Sequence, residues 1–324
     1  MAIHPWQKKQ WKSITDRINQ NKIPHAMLFH GPQGIGKSDF INSLVARLMC
    51  VQPENDLACG KCDACHLLSV NNHPDLRVVD CDEGKKNISV DKIRDLIDYT
   101  SLTPHSAQYK IAIVKQAELM SISAANSLLK TLEEPPKSAL IVLLTHKPEQ
   151  LLPTILSRCQ KLAFNVPSPK EADLWLAHEI NDETLRASLL ALANGAPLKA
   201  LDYSQQGLIE QRSVQFDTLL NLVKGQLDPV TGAEKWLKLD LELSLQTMLS
   251  WIIDLCRLKS GNEMSAITNS DLQLQLSELN HKTNLKELLE YHQFLNECVV
   301  WSRSNINTQL LLEDILIRWI KLFR

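Results

Sequence analysis

Gly31, Gly36, Lys37 and Ser38 stand in the run GPQGIGKS at residues 31–38, the spacing of a phosphate-binding loop. In such a loop Gly31, Gly34 and Gly36 let the backbone turn its N–H groups toward phosphate oxygens. Lys37 then reaches the β- and γ-phosphates, and Ser38 binds Mg2+. Hydrolysis asks for more: a carboxylate at the end of a buried strand, to hold the metal and orient a water. The best candidate strand reads IAIVKQAE, with Lys115 and Gln116 where Asp and Glu are needed. A lysine there repels Mg2+, and a glutamine can position a water without accepting its proton. Glu118 is expected past the strand end, Glu133 and Glu134 close a helix, and Asp80 ends another strand. None has the placement of the missing acid. The chemistry implied is a grip on phosphates without turnover, with a relic loop that no longer holds nucleotide as the alternative.

A second group of residues suits a metal. Cys50, Cys59, Cys62 and Cys65 form C-x8-C-x2-C-x2-C between the loop's helix and the second strand. Four thiolates at short spacing fit tetrahedral Zn2+ with no open position, hence a structural site. Gly60 and Asp63 read as turn formers between the ligands. His66 and His73 are candidate substitute ligands that read more readily as solvated, and Cys81, Cys159, Cys256 and Cys298 read as scattered structural thiols.

The elements that must position these groups follow from periodicity. Apolar runs predict strands at Ala26–His30, Leu76–Asp80, Lys110–Lys115, Ala139–Thr145 and Gln160–Phe164, in a parallel sheet flanked by helices. Helices are predicted over Lys37–Met49 and Ser123–Glu133, the second ended by Pro135 and Pro136. The stretch NVPSPKEAD at 165–173 marks a linker, with Ser168 as a helix cap and Pro169 in the first helical position. Residues 170–202 read as a small helical bundle. Helical periodicity alone follows from about 207, as in Leu245–Leu258, Leu285–Trp301 and Thr308–Phe323. Trp236, Trp251, Trp301 and Trp319 are expected to pack cores or helix contacts.

Composition narrows the classes. The 324 residues carry 35 basic and 37 acidic side chains, a formal net charge of −2, which argues against a protein that coats nucleic acid. No apolar run reaches bilayer length, and the start MAIHPWQKKQWKS has no apolar core like that of a signal peptide. A cytoplasmic protein with no membrane partner is expected, its eight cysteines thiols or ligands rather than disulfides.

Together the phosphate loop, the cysteine cluster, PHAMLFHGPQGIGKS (24–38), NSLLKTLEEPP (126–136) and ILSRCQKLAF (155–164) resemble bacterial clamp-loader subunits of the AAA+ class. The motifs cover residues 1–165 densely; the rest agrees in length and helical character. The resemblance implies an α/β P-loop domain with a RecA-like parallel sheet and a four-cysteine zinc module over 1–166. A small helical lid over 167–206 and an all-α collar for oligomerisation over 207–324 would follow. It implies zinc at Cys50, Cys59, Cys62 and Cys65. Ser157, Arg158 and Cys159 match the family's SRC motif, whose arginine serves a neighbouring subunit's ATP site in trans; read alone, Arg158 would be a surface arginine pairing a nearby acid. Thr145 matches the strand-end residue called sensor 1. Leu198 stands where a sensor 2 arginine would, and the adjacent Lys199 should point elsewhere. The implied partners are gamma/tau and delta subunits in a hetero-oligomeric ring, with the sliding clamp and primer-template DNA met by the complex. The missing acid suggests an ATPase-deficient stator in a DNA-directed DNA polymerase holoenzyme. The complete loop leaves ATP and Mg2+ binding open. The alternatives are an ATP-hydrolysing gamma/tau-type subunit or other AAA+ ATPase, and a DNA-binding module built on the cysteine loop, which near-neutral charge disfavours.

Overall fold

The computed structural model describes residues 3–82, 85, 87–261, 267–302 and 306–323. The chain forms two compact units, Met1–Ala172 and Asp173–Arg324.

Five parallel strands make up the sheet of the first unit: β1 (Ala26–His30), β2 (Leu76–Val79), β3 (Lys110–Val114), β4 (Ala139–Thr145) and β5 (Gln160–Ala163), in the order β2-β3-β4-β1-β5. Its helices are α1 (Lys8–Asn19), α2 (Lys37–Met49), α3 (Asp63–Ser69), α4 (Val90–Ser101), α5 (Ile122–Glu133) and α6 (Pro153–Leu156). The three inner strands β1, β3 and β4 are buried along almost their whole length, because helices cover both faces. On one face Ile93 and Leu96 of α4 and Leu128 and Leu132 of α5 pack with Leu28, Val114 and Leu143 of the sheet. Ser121 caps α5, its Oγ accepting the Ala124 N–H at 3.2 Å. The edge strands are partly polar and exposed, and β2, β3 and β5 each end one residue earlier than predicted. Four helices of this unit, α1, α3, α4 and the four-residue α6, fall outside the predicted segments. α1 is lysine-rich and buries only Ile14 and Thr15, and α3 has seven residues. α4 interleaves charges with its apolar face.

One buried ion pair ties the sheet's edge together. Asp75, fully buried just before β2, meets Lys110 Nζ at 3.1 Å at the start of β3. It also accepts the N–H groups of His105, Ser106 and Ala107 at 2.7, 2.8 and 2.9 Å. Burial opposes its charge, but these three donors and Lys110 outweigh it and hold the carboxyl well below the ordinary range. Lys110 also donates to Pro74 O and lies 4.5 Å from the Tyr99 ring centre.

α7 (Pro169–Leu176) carries the chain from the first unit into the second. Its start is a capping box: Ser168 Oγ accepts the Glu171 N–H, and Glu171 Oε2 accepts the Ser168 N–H. Among the described residues the elements of the second unit are all helical: α8 (Glu183–Leu192), α9 (Pro197–Gln205), α10 (Leu208–Val223), α11 (Pro229–Trp236), α12 (Leu241–Lys259), α13 (Gln273–Asn280), α14 (Leu285–Ser302) and α15 (Thr308–Phe323). α9 packs against α8 and α10, so residues 173–206 share one unit with the helices after them. Trp236, Trp251 and Trp319 lie in its core with Phe216, Leu295 and Phe323. Trp301 does not: it is 39% exposed, edge-on to Phe294. Arg212 is also interior, donating to Asn269 Oδ1 at 2.6 Å and paired with Asp271 at 3.5 Å. Among the described residues no helix is long and apolar enough to cross a membrane.

Replacing Asp75 by Asn leaves Lys110 buried without its counter-charge and should cost roughly 3 kcal/mol at pH 7. Because the folded carboxyl is depressed, its contribution is complete above about pH 4 and fades as pH falls below it. Urea unfolding of both proteins at pH 7 and pH 3 measures this; the difference should shrink in acid.

Candidate functional site

The loop between β1 and α2 has the shape its glycines predict. Gly31 (φ +143°) lies so close to β5 that a Cβ would sit 2.1 Å from Phe164 O. Gly36 (φ +80°) caps α2 beneath His4, where a Cβ would meet the ring at 2.4 Å. Gly34 also has positive φ, within the turn. The N-terminal segment supports the loop from behind. Gln7 Nε2 donates to Ile35 O at 2.9 Å and Gly36 O at 2.8 Å, and Trp6 Nε1 donates to Ile35 O at 3.0 Å. Each trans peptide points its N–H opposite its C=O, so holding these carbonyls turns the N–H groups of Gly36 and Lys37 the other way. Trp6 and Gln7 escape a reading of the sequence; no motif marks a residue that acts by holding another residue's carbonyl.

Lys37 opens α2 and is 3% exposed. Its Nζ donates to Gly31 O at 2.6 Å and to Pro32 O. Burial pulls the amine down to about 8, and the Glu118 charge acts in the opposite direction. It is therefore still charged at pH 7. Ser38 follows in the first turn of α2, exposed, and lines a cavity of about 290 Å3 together with Lys115.

At the end of β3 the structure keeps the arrangement read from the sequence. Lys115 is half exposed and pairs with Asp80 Oδ2 at 3.8 Å. Lys92 adds a second ammonium, donating to Asp80 O at 2.9 Å. The Lys92 ammonium takes its carboxylate from Asp82, so the Asp80 side chain pairs with Lys115. Gln116 is exposed and takes a left-handed conformation, φ +48°. Glu118 is the surprise. A short 3-10 turn, Ala117–Leu119, folds it back from the strand end. Its Oε1 accepts the His146 N–H at 3.2 Å, while Oε2 is buried with no hydrogen-bond partner among the described residues. It lies within electrostatic reach of Lys37. Burial, then the Lys37 charge, push the His146 imidazole down; burial, then Lys161 and Lys37, do the same to His30. Both shifts favour the neutral imidazole, and Glu118 is the acid whose charge acts on Lys37. Thr145, the last residue of β4, is fully buried, and its Oγ1 accepts the Lys147 N–H at 3.1 Å. Lys199, in the second unit, lies over the Tyr203 ring at 5.3 Å.

The four cysteines do come together. Cys50 ends α2, Cys62 caps α3 and Cys65 lies within it; all four sulfurs sit within 4.8 Å of one another. Cys50 Sγ and Cys62 Sγ are 4.0 Å apart, close to the sulfur spacing of a tetrahedron with bonds of about 2.3 Å. Backbone N–H groups of Cys65 and Val51 pull the Cys62 thiol down to about 6, and those of Lys61 and Cys62 also lower Cys59. Such donors stabilise thiolates, the form that binds metal. The donor set and its spacing fit Zn2+. Gly60 makes the turn (φ +72°), but Asp63 begins α3 instead of turning. His66 is exposed, as expected. His73 is not: it is buried, its Nδ1 accepting the Asp75 N–H at 3.1 Å. Burial likewise pushes the Cys159 thiol up to about 11 and Cys298 to about 12, in keeping with inert packing.

Arg158 follows α6 on the surface of the first unit. Its Nη2 donates to Glu133 Oε1 and its Nη1 to Thr154 O at 2.9 Å. Its neighbour Cys159 is buried in the sheet's core.

Comparison with known proteins agrees along the whole chain. Residues 6–168 match the family model described as DNA polymerase III, delta subunit, and residues 206–321 match that of its C terminal part. DNA polymerase III subunit delta' of Pseudomonas aeruginosa is 34% identical over 99% of this chain and 98% of its own length. The Escherichia coli subunit delta' is 30% identical over 98% and 95%. DNA polymerase III subunit tau of Bacillus subtilis is 36% identical over 47% of this chain and 27% of its own. A gamma subunit-related protein of Thermotoga maritima shares the fold, with a TM-score of 0.50 at 23% identity, covering 97% of this chain and all of that one. Two family models, over 6–168 and 206–321, and full-length relatives of one name lead to one conclusion: the chain belongs to the DNA polymerase III delta' subunit family.

Proposed function

We propose that this chain is an ATPase-deficient stator of the clamp-loader complex, helping neighbours place the sliding clamp on primed DNA. The observation that carries this is the end of β3, where Lys115 and its Asp80 partner occupy the place of a metal-binding acid. The phosphate loop can still grip an anion through Lys37 and the helix N-terminus. Glu118 stands past the strand end in the turn after Gln116, with Oε1 held by the His146 N–H and its charge directed at Lys37, and we do not read it as the missing acid. Arg158 would act outward, supplying positive charge to a neighbouring subunit's ATP site. The partners are gamma/tau and delta subunits in a ring, with clamp and primer-template DNA bound by the complex. Within the second unit, residues up to about 206 would serve as lid and the helices from 207 as collar. The four cysteines would hold Zn2+ as a structural clip, closing a segment with little apolar core of its own. A soluble, cytoplasmic setting follows from this role.

Purified alone, the protein should release no ADP from ATP above a Lys37→Ala control; Lys37-dependent turnover would favour the gamma/tau-type reading. Elemental analysis should find about one zinc per chain, lost in Cys59→Ser/Cys62→Ser together with several degrees of thermal midpoint. In the assembled complex Arg158→Ala should lower the ATPase rate several-fold while assembly by gel filtration is unchanged. An unaltered rate would remove the trans role.

A further inference from the structure

α5 ends with two acids, Glu133 and Glu134, before Pro135 and Pro136 stop it. Negative charge at a helix C-terminus is unfavourable, since the last carbonyls already point there. Something else must account for Glu133. Its carboxylate receives Arg158 Nη2, while Nη1 is held by Thr154 O at 2.9 Å. Both backbones are fixed: Leu132 beside Glu133 and Cys159 beside Arg158 are buried in the same core, as is Ile155 of α6. One guanidinium edge is thus clasped by two rigid pieces of the first unit, and Nε takes part in neither contact.

We propose that Glu133 is a positioning residue for Arg158: it holds the guanidinium in the orientation from which it serves a neighbouring subunit's nucleotide. This rests on the trans role of Arg158 argued above. An arginine on a surface is free in several torsions, and ordering it on encounter slows the step it assists. A clasp made beforehand removes that cost. The magnitude separates positioning from masking. Glu133 is half exposed and Arg158 about one-third exposed, and pairs of this kind bias an equilibrium by no more than about fivefold. That is enough to select a rotamer. It is too little to withhold arginine from a polyphosphate, which offers several charged acceptors.

The experiment is a double-mutant cycle in the assembled complex, with Glu133→Gln, Arg158→Ala and both together. Glu133→Gln should lower kcat for ATP about two- to fivefold with KM unchanged, and Glu133→Asp should recover part of the loss. Arg158→Ala should cost more, and adding Glu133→Gln to it should cost nothing further. Unchanged thermal midpoints and gel-filtration profiles establish that the exposed substitutions leave folding and assembly intact. A Glu133→Gln complex as fast as or faster than the parent overturns the proposal, and so does an equal loss in the Arg158→Ala background. If Arg158→Ala alone leaves the rate unaltered, the trans role itself falls, a result distinct from the other two.

Discussion

Parallel strands bring all their carboxyl ends to one edge of a sheet, and the rest of the first unit is arranged around that fact. Helices on both faces require the inner strands to be apolar along their length. Chemistry is therefore confined to the last residue of each strand and the turn after it. The phosphate loop leaves β1, Lys115 follows β3, Thr145 ends β4, and Phe164 follows β5. Thr145 and Phe164 are buried there, but a change at an exposed position of this kind costs the core little. Lys115 illustrates this: it is half exposed and finds Asp80 across the strand ends, so the sheet is indifferent to whether an acid or a lysine stands there. Fold and hydrolysis can part company at a single residue.

Charge around the loop is sparse and mutually satisfied. Lys37 is drawn out of water and bonded to its own loop, Glu118 acts on it with opposite charge, and burial favours the neutral form of the His30 and His146 imidazoles. Where the fold does bury full charges, it surrounds them with donors, as at Asp75 and around Arg212. The cysteine module follows a different logic. Between α2 and β2 only Cys50, Cys65, Leu68 and a few others are buried, so four sulfurs aimed at one point stand in for packing.

Much of this is legible in the residues. The loop pattern, the inner strands and the cysteine spacing each have a local cause: glycine torsion, two-sided burial and ligand geometry. What escapes has a tertiary cause. Glu118 reads as remote if the strand runs straight on, whereas the turn at Gln116 folds it toward β4. Gln7 and Trp6 act on carbonyls 28 and 29 residues away, a pairing no short window contains. His73 reads as solvated until the Asp75 turn closes over it. Trp301, expected to pack a core or a helix contact, is 39% exposed near the end of α14, edge-on to Phe294 of the same helix. The boundary between small bundle and helical remainder also depends on packing, since α9 leans on both α8 and α10.

Gly31 touches more than phosphate chemistry. With only a hydrogen facing Phe164 O, it presses the start of the loop against the last peptide before the chain leaves the sheet. Phe164 is itself tied to β1 through His30 O and buried beside Phe29 and Phe40. Loop and exit strand therefore form one mechanical joint: neither can shift by an ångström without displacing the other. A displacement of the loop at Gly31 is therefore carried directly into the peptide that ends the sheet.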